Sequence, residues 1–173
     1  IIKQRNAFLE ELSPVAKEKH SVLSGGKEDL TMNTESGYYG DESEISYAMY
    51  EDLKTSLEKD MRLGFTTIGP HRDDIKFALN GMDARIYGSQ GQQRTIALSL
   101  KLAETEIFNT RFGEYPILIL DDVLSELDKS RQRKLISEVE KMQTIFTATG
   151  FDRTVFKNRT VNRIIIENGK VKR

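Results

Sequence analysis

The sequence predicts an α/β fold, and three observations carry that prediction. Tyr115-Pro116-Ile117-Leu118-Ile119-Leu120-Asp121-Asp122 is an unbroken apolar run ending in two acids. That is the pattern of a parallel strand buried on both faces, whose C-terminal end lies at the sheet edge where α/β folds bind ligands. A helical pattern with Leu135, Val139 and Met142 follows, and then a strand pattern over Thr144–Thr149, so residues 116 to 149 form a βαβ unit with a parallel sheet. Upstream, Ile45-Met49-Leu53-Leu57-Met61 and Ile96-Leu100-Ala103-Ile107 recur at helical spacing.

In chain order, Ile1–Val22 carries Phe8, Leu9, Leu12, Val15 and Ala16 on one helical stripe. Ser13-Pro14 predicts a break and restart, with Ser13 as N-cap and Pro14 at the first helical position. Leu23-Ser24-Gly25-Gly26 ends this segment. Weak alternation over Lys27–Asn33, with Leu30 and Met32 on one side, predicts a short strand, and the polar stretch Thr34–Glu42 an exposed loop. Within that loop Tyr38-Tyr39 reads as an anchor in preference to a base-stacking pair. The helix over Ile45–Met61 is the most regular of the chain, and its acids and lysines turn one side to solvent. Gly69-Pro70-His71-Arg72-Asp73-Asp74 is a turn between short extended pieces, and Asn80-Gly81 between Ile75–Leu79 and Ala84–Tyr87 is a hairpin signal. A long helix runs from Ser89 to near Asn109, and a last hairpin turns at Asn168-Gly169 between Arg163–Glu167 and Lys170–Lys172. No internal repeat is visible.

With 173 residues the chain can bury one real core or two small lobes, and 38% apolar with 31% charged residues fits a globular protein with solvated helical faces. No stretch has the apolar length to span a bilayer and no secretory pattern opens the sequence, so the expectation is a cytoplasmic protein with no membrane partner. Zero cysteines remove disulfides, thiolate catalysis and zinc-thiolate sites. A net charge of −1 makes any nucleic-acid contact a local feature. His20 and His71 are too far apart in sequence to argue for a His-rich metal site.

Three elements carry chemistry. In Tyr87-Gly88-Ser89-Gln90-Gly91-Gln92-Gln93-Arg94, small residues precede a helix whose free N–H groups and positive dipole end suit an anion, and Ser89 can cap the helix and offer a hydroxyl to a phosphate. Taken alone, the same string fits an ordinary Gly-rich N-cap. Asp121-Asp122 at the end of a buried strand are costly unless a cation or buried donors receive them, and Mg2+ is the hard, oxygen-seeking candidate. The bland alternative is a core strand running into an Asp-rich turn. Ser125-Glu126-Leu127-Asp128 follows the acids and also serves as a capping turn for the next helix. Arg72 and Arg94 are candidate phosphate or DNA contacts, against solvated turn residues or local ion pairs. An arginine beside a helix N-terminus opposes the dipole, so Arg94 calls for a carboxylate or phosphate partner. Arg131, Arg133 and Lys134 read as a solvated basic face.

These elements occur in this order in ABC-type ATPases. The fuller strings, Tyr87 to Glu104, Leu120 to Asp128 and Gly69 to Asp74, resemble the RecF family of bacterial recombination mediators, and the resemblance covers essentially the whole chain as the C-terminal half of such a protein. It implies an ABC-type ATPase head in which residues 1–112 are a helix-rich lobe with the signature motif and residues 113–173 the C-terminal part of the parallel-sheet nucleotide lobe. It implies that Asp121 holds Mg2+ through water and that Asp122 is the catalytic acid orienting the attacking water. That position is usually Glu in ABC enzymes, so the shorter Asp implies slow turnover. Ser89, Gln90, Gly91 and Gln92 match the signature motif, which acts in trans on the γ-phosphate bound to a partner subunit. Ser125 and Asp128 match the loop that crosses the dimer interface, and Thr147 and Thr149 stand where ABC enzymes usually place a switch His. For the whole protein the resemblance implies ATP and Mg2+ as cofactors, an ATP-dependent homodimer, duplex DNA near single-strand gaps, and a RecR-type mediator that aids recombinase loading.

One departure is large. No Gly-x-x-x-x-Gly-Lys-[Ser/Thr] occurs in these residues. Gly25-Gly26-Lys27 is followed by Glu28 and has Ser21 where the first Gly belongs, so it fails as a phosphate loop. Leu23-Ser24-Gly25-Gly26 mimics the common signature spelling, but Lys27 replaces the Gln and no apolar helix follows. The resemblance places the phosphate loop upstream of Ile1 and implies that this chain alone binds ATP poorly and hydrolyses none. Two other readings stand beside it: the ATPase half of another machine, SMC-like or a transporter motor, and a partner-docking lobe without catalysis. The short helices, with no long heptad arm and nothing suited to coupling with membrane helices, favour the RecF reading.

Overall fold

A computed structural model describes residues 1–150, 152–156 and 159–172. The chain divides into two units, Ile1–Glu114 and Tyr115–Arg173. Among the described residues no helix is long and apolar enough to cross a membrane.

The first unit opens with α1 (Ile2–Ser24), which runs unbroken through Pro14, so the break expected at Ser13-Pro14 is absent. Pro14 removes the hydrogen bond to the carbonyl four residues back, at Glu10. Both residues are exposed, which leaves that carbonyl to water, while Leu12, Ala16 and Leu23 are buried and hold the helix on its inner side. The helix ends at Gly25 (φ 76°), and the Gly26 N–H closes back on the Ser21 carbonyl at 2.8 Å. The Leu23-Ser24-Gly25-Gly26 string therefore finishes a helix, where carbonyls face outward, instead of starting one.

Strands β1 (Leu30–Glu35), β2 (Asp74–Leu79) and β3 (Met82–Asp83) form an antiparallel sheet in that order. Leu30 pairs with Leu79 and Met32 with Phe77, which puts the apolar residues on one face. Asn80 (φ 51°) and Gly81 (φ 81°) both have positive φ, the conformation of the tight primed hairpin turn. The returning strand is shorter than expected, because Ala84–Tyr87 is a turn. The Asp83 carboxylate accepts from the Arg85 and Ile86 amides at 2.8 and 3.2 Å, and this local bonding replaces the ladder.

Asp41 and Glu44 form a reciprocal capping box at the start of α2 (Glu42–Leu63). The regular stripe of this helix is legible in the sequence but stays open: no α2 residue is buried, and Leu53, Leu57 and Met61 are exposed. The loop before it is less exposed than expected, with Ser36 and Tyr38 buried. Helix α3 (Gln90–Phe112) packs against α1. Ile96, Ala103 and Ile107 join Leu12, Ala16, Leu30, Leu79 and Ala84 in the core, and the largely buried pair Lys19–Glu106 (2.8 Å) ties the two helices together.

In the second unit β4 (Leu118–Asp121) and β5 (Thr144–Thr147) are parallel neighbours, with Asp121 opposite Thr147. Helix α4 (Lys129–Glu138) forms the crossover. Strand β4 departs from its expected burial on both faces: Leu118 and Leu120 are buried, whereas Ile117 and Ile119 are 60% and 66% exposed. The sheet has two strands among the described residues, and on its covered face Phe146 meets Phe156 edge-on and packs with Ile136 and Val155. A short α5 (Arg153–Phe156), which no sequence pattern announced, supplies two of those residues. Strands β6 (Ile165–Glu167) and β7 (Lys170–Lys172) form the last hairpin around Asn168 and Gly169, both at positive φ.

Candidate functional site

In the second unit, the end of β4 places two acids in different environments. The Asp121 carboxylate accepts a hydrogen bond from the Thr147 hydroxyl on β5. The Asp122 amide donates to both the Thr147 hydroxyl oxygen (3.0 Å) and the Thr147 carbonyl (3.2 Å). Thr147 thus fixes the position of both acids. Asp122 itself sits at φ 48°, ψ 23°, a left-handed conformation that Asp tolerates better than longer side chains do. Its carboxylate is exposed and makes no hydrogen bond or ion pair among the described residues. The Ser125 hydroxyl donates to the Asp122 carbonyl at 2.8 Å, which folds the following turn back on the acids. Thr149 lies exposed beyond β5.

Asp128 is the N-cap of α4 and accepts from the Ser130 and Arg131 amides at 2.8 and 3.0 Å. The Arg131 amide hydrogen bond is the main cause of a carboxyl held below the usual range. One contributor escaped the sequence reading. The Gln132 amide donates to the carbonyls of Leu124 (2.5 Å) and Leu127 (3.0 Å), pinning the Ser125–Asp128 loop to α4. Only its position four residues after Asp128 could have signalled that role. Two exposed carboxylates beside hydroxyl oxygens are a hard donor set of the kind Mg2+ accepts, since it is usually held by one or two carboxylates with water and substrate phosphates completing the shell. No cluster of three or more His, Cys, Asp or Glu side chains forms a protein-only cage among the described residues.

In the first unit, Ser89 and Gln92 form a capping box at the start of α3. The Ser89 hydroxyl accepts from the Gln92 amide (3.3 Å), and the Gln92 side-chain oxygen accepts from the Ser89 amide (2.8 Å). The N–H groups of Gln90 and Gly91 lie in the first turn, where a helix has no internal acceptor for them. Gly88 is required by close approach: a Cβ there would lie 2.3 Å from the Ala84 carbonyl oxygen. Gln93, also missed from sequence, donates its side-chain amide to the carbonyls of Ala84 (3.0 Å), Arg85 (3.3 Å) and Gly88 (3.2 Å), and so fixes the turn that leads into the motif. Arg94 lies exposed in the same first turn.

Arg72 is committed to its own turn. Its guanidinium donates twice to the Thr66 carbonyl (3.1 and 2.8 Å) and lies 4.8 Å from the Phe65 ring centre. His71 reaches the same carbonyl at 3.2 Å, and Arg5 clamps the turn through Asp73 (2.5 Å) and the Pro70 carbonyl (3.2 Å). The structure therefore brings together Ser89 with Gln92 in the first unit, and Asp121, Asp122, Ser125 and Thr147 in the second.

No family model matches the chain. DNA replication and repair protein RecF from several strains of Staphylococcus aureus, among them JH9 and Newman, is 45% identical over 172 residues, covering 95% of this chain and 46% of that protein. A solved structure of the recombination mediator protein RecF-ATPrS in the RecFOR pathway superposes with a TM-score of 0.76 at 36% identity, over 99% of this chain and 46% of the other. An SMC head bound to the C-terminal winged-helix domain of ScpA gives a TM-score of 0.57 at 16% identity over 98% of this chain and 44% of the other, and is alike in fold alone. The chain thus spans about half the length of the curated relatives it matches. In sequence and in fold, the chain matches the C-terminal half of RecF-type proteins.

Proposed function

We propose that this chain is the signature-bearing and acid-bearing half of a RecF-type DNA-repair ATPase, and that it completes a nucleotide site only together with a phosphate loop. The observation that carries the reading is the end of β4, where two exposed acids leave a parallel strand and the Thr147 hydroxyl bridges them from the neighbouring strand. In this reading the unit Tyr115–Arg173 belongs to the nucleotide lobe and the unit Ile1–Glu114 is the signature lobe. Asp121, held by Thr147, is the residue that faces Mg2+. Bound there, the ion would neutralise charge on the phosphate oxygens. Asp122, with its carboxylate turned to solvent, orients the attacking water. Its short side chain and the hydroxyl in place of a switch His support slow turnover.

Ser89 and the Gln90 and Gly91 amides, at the positive end of a 23-residue helix, face the γ-phosphate bound to a second copy. Gln92 holds that helix start in place. Ser125 and Asp128 face the dimer seam, and Arg94 joins the phosphate contacts. Arg72 is a structural clamp of its turn with its exposed edge toward DNA. The relatives' names, with DNA repair, ATP and the RecFOR pathway in them, support DNA and a RecR-type mediator as partners. The test is ATP hydrolysis by the whole RecF-type protein containing this segment. Asp122→Asn should abolish turnover while ATP-dependent dimerisation persists, and the 173-residue chain alone should show no rate. A measurable rate from this chain alone, lost on Asp122→Asn, would sink the proposal.

A further inference from the structure

Beneath the start of α3 lies a buried polar pair to which the proposed function gives no role. His20 of α1 is fully buried, and its Nε2 is 3.0 Å from Glu28 Oε2, with the Glu28 side chain only 10% exposed. Its Nδ1 is 3.2 Å from the oxygen of Ser99, itself fully buried in α3. The Ser99 hydroxyl is also 2.6 Å from the Thr95 carbonyl. In either tautomer the His20 ring is bonded on both sides, and its bond to Glu28 holds that side chain in place. Such a pair is weak grounds for stability, because apolar side chains of the same volume often do as well.

The second oxygen of Glu28 shows what the pair is placed to do. Glu28 Oε1 accepts from the Gln92 side-chain amide at 3.2 Å, while the Gln92 oxygen accepts from the Ser89 amide at 2.8 Å. A continuous chain of hydrogen bonds therefore runs Ser99, His20, Glu28, Gln92, Ser89. The turn at Gly25 (φ 76°) and Gly26 (φ 73°) is what returns the backbone so that Glu28 lies over His20 eight residues earlier.

We propose that His20 and Glu28 are positioning residues for the signature motif. They lock the rotamer of Gln92, and through it the Ser89 end of α3, before nucleotide on a second copy arrives. The inference rests on the reading of Ser89–Gln92 as the nucleotide-facing motif. A free glutamine would lose side-chain freedom on binding, whereas one held by a charge-assisted bond to a fixed carboxylate has already lost it.

The experiment is a double-mutant cycle in the full RecF-type protein, reading dimer affinity by sedimentation with Mg2+ and ATP. Glu28→Gln should weaken the ATP-dependent dimer about five- to tenfold, with binding of a fluorescent ATP analogue to the monomer unchanged. Combined with Gln92→Ala it should weaken the dimer no further than Gln92→Ala alone. In the same protein with labelled glutamine, nitrogen NMR reads the Gln92 side chain directly. The Gln92 side-chain signals should move in Glu28→Gln. If Glu28→Gln fails to fold, Glu28→Asp, which withdraws the carboxylate from Gln92, reads the same quantities. An unaltered dimer in Glu28→Gln beside a weakened one in Gln92→Ala overturns the positioning role and spares the signature reading. So do fully additive effects, or Gln92 signals that stay unmoved in Glu28→Gln. A wild-type dimer in Gln92→Ala removes the signature reading itself.

Discussion

Replacing Thr147 by Val tests the geometry of the acid pair with little disturbance elsewhere. Valine matches threonine in shape and is equally suited to a strand, so the loss is confined to the hydroxyl. That hydroxyl donates to the Asp121 carboxylate and accepts from the Asp122 amide at 3.0 Å. A bond to a charged group is worth about 1.5–3 kcal/mol when sheltered and a neutral one about 1 kcal/mol. Both acids face solvent, and the Asp122 amide keeps the Thr147 carbonyl at 3.2 Å, so neither group is orphaned. The net loss should be about 1–2 kcal/mol, felt locally at the strand ends. Hydrogen exchange is the suitable assay, because a chain of two units need not unfold in one step. The Asp122 amide should exchange roughly 5- to 30-fold faster in Thr147→Val, while Thr147→Ser, which retains the hydroxyl, should stay near the parent. Wild-type exchange in Thr147→Val, or equally fast exchange in Thr147→Ser, would refute the bridging role.

Two further outcomes follow from the first unit. Gly88→Ala puts a Cβ 2.3 Å from the Ala84 carbonyl oxygen, so the turn before Ser89 must move, at a cost of about 1–3 kcal/mol. A lower melting temperature and faster exchange at the Gln92 amide are expected, and an unchanged melting curve would contradict the close approach. Burial, followed by the hydrogen bond to Asp52 at 2.9 Å, pushes the Tyr38 phenol up to about 12. The fold thus favours the neutral phenol. Its stabilising contribution is fully present below the ordinary tyrosine value of 10.0 and is lost as pH rises through about 12. Ultraviolet titration should show a late-ionising tyrosine that Tyr38→Phe removes, and simultaneous ionisation of all six tyrosines near their ordinary value would count against it.

Elements with a complete local signal were legible in the sequence. Asn80-Gly81 and Asn168-Gly169 form their hairpins, the Ser89 helix starts at its cap, and the βαβ unit pairs β4 with β5 in parallel. The failures came where tertiary context overrode a local rule. Pro14 should break a helix, yet the buried residues around it hold α1 continuous on the inner side while the released carbonyl faces water. The apolar run of β4 and the stripe of α2 predicted covered faces, but hydrophobicity states only that a face can be buried, not that this unit supplies the cover. The bonds of Gln93 and Glu28 were invisible, and that of Gln132 was hinted at only by its distance from Asp128, because each depends on where a side-chain amide or carboxylate lands in space. Tyr38-Tyr39 divides in the same way, with Tyr38 buried as an anchor and Tyr39 exposed.

Whether Ser89–Gln92 completes a nucleotide site on a second copy decides the proposed function. The direct measurement is light scattering of the whole RecF-type protein with Mg2+ and ATP, comparing the parent with Ser89→Arg, which sets a bulky cation at the start of α3. A dimer is expected for the parent and a monomer for Ser89→Arg, with monomer ATP affinity the same in both. A Ser89→Arg protein that dimerises on ATP as the parent does would contradict the proposed function.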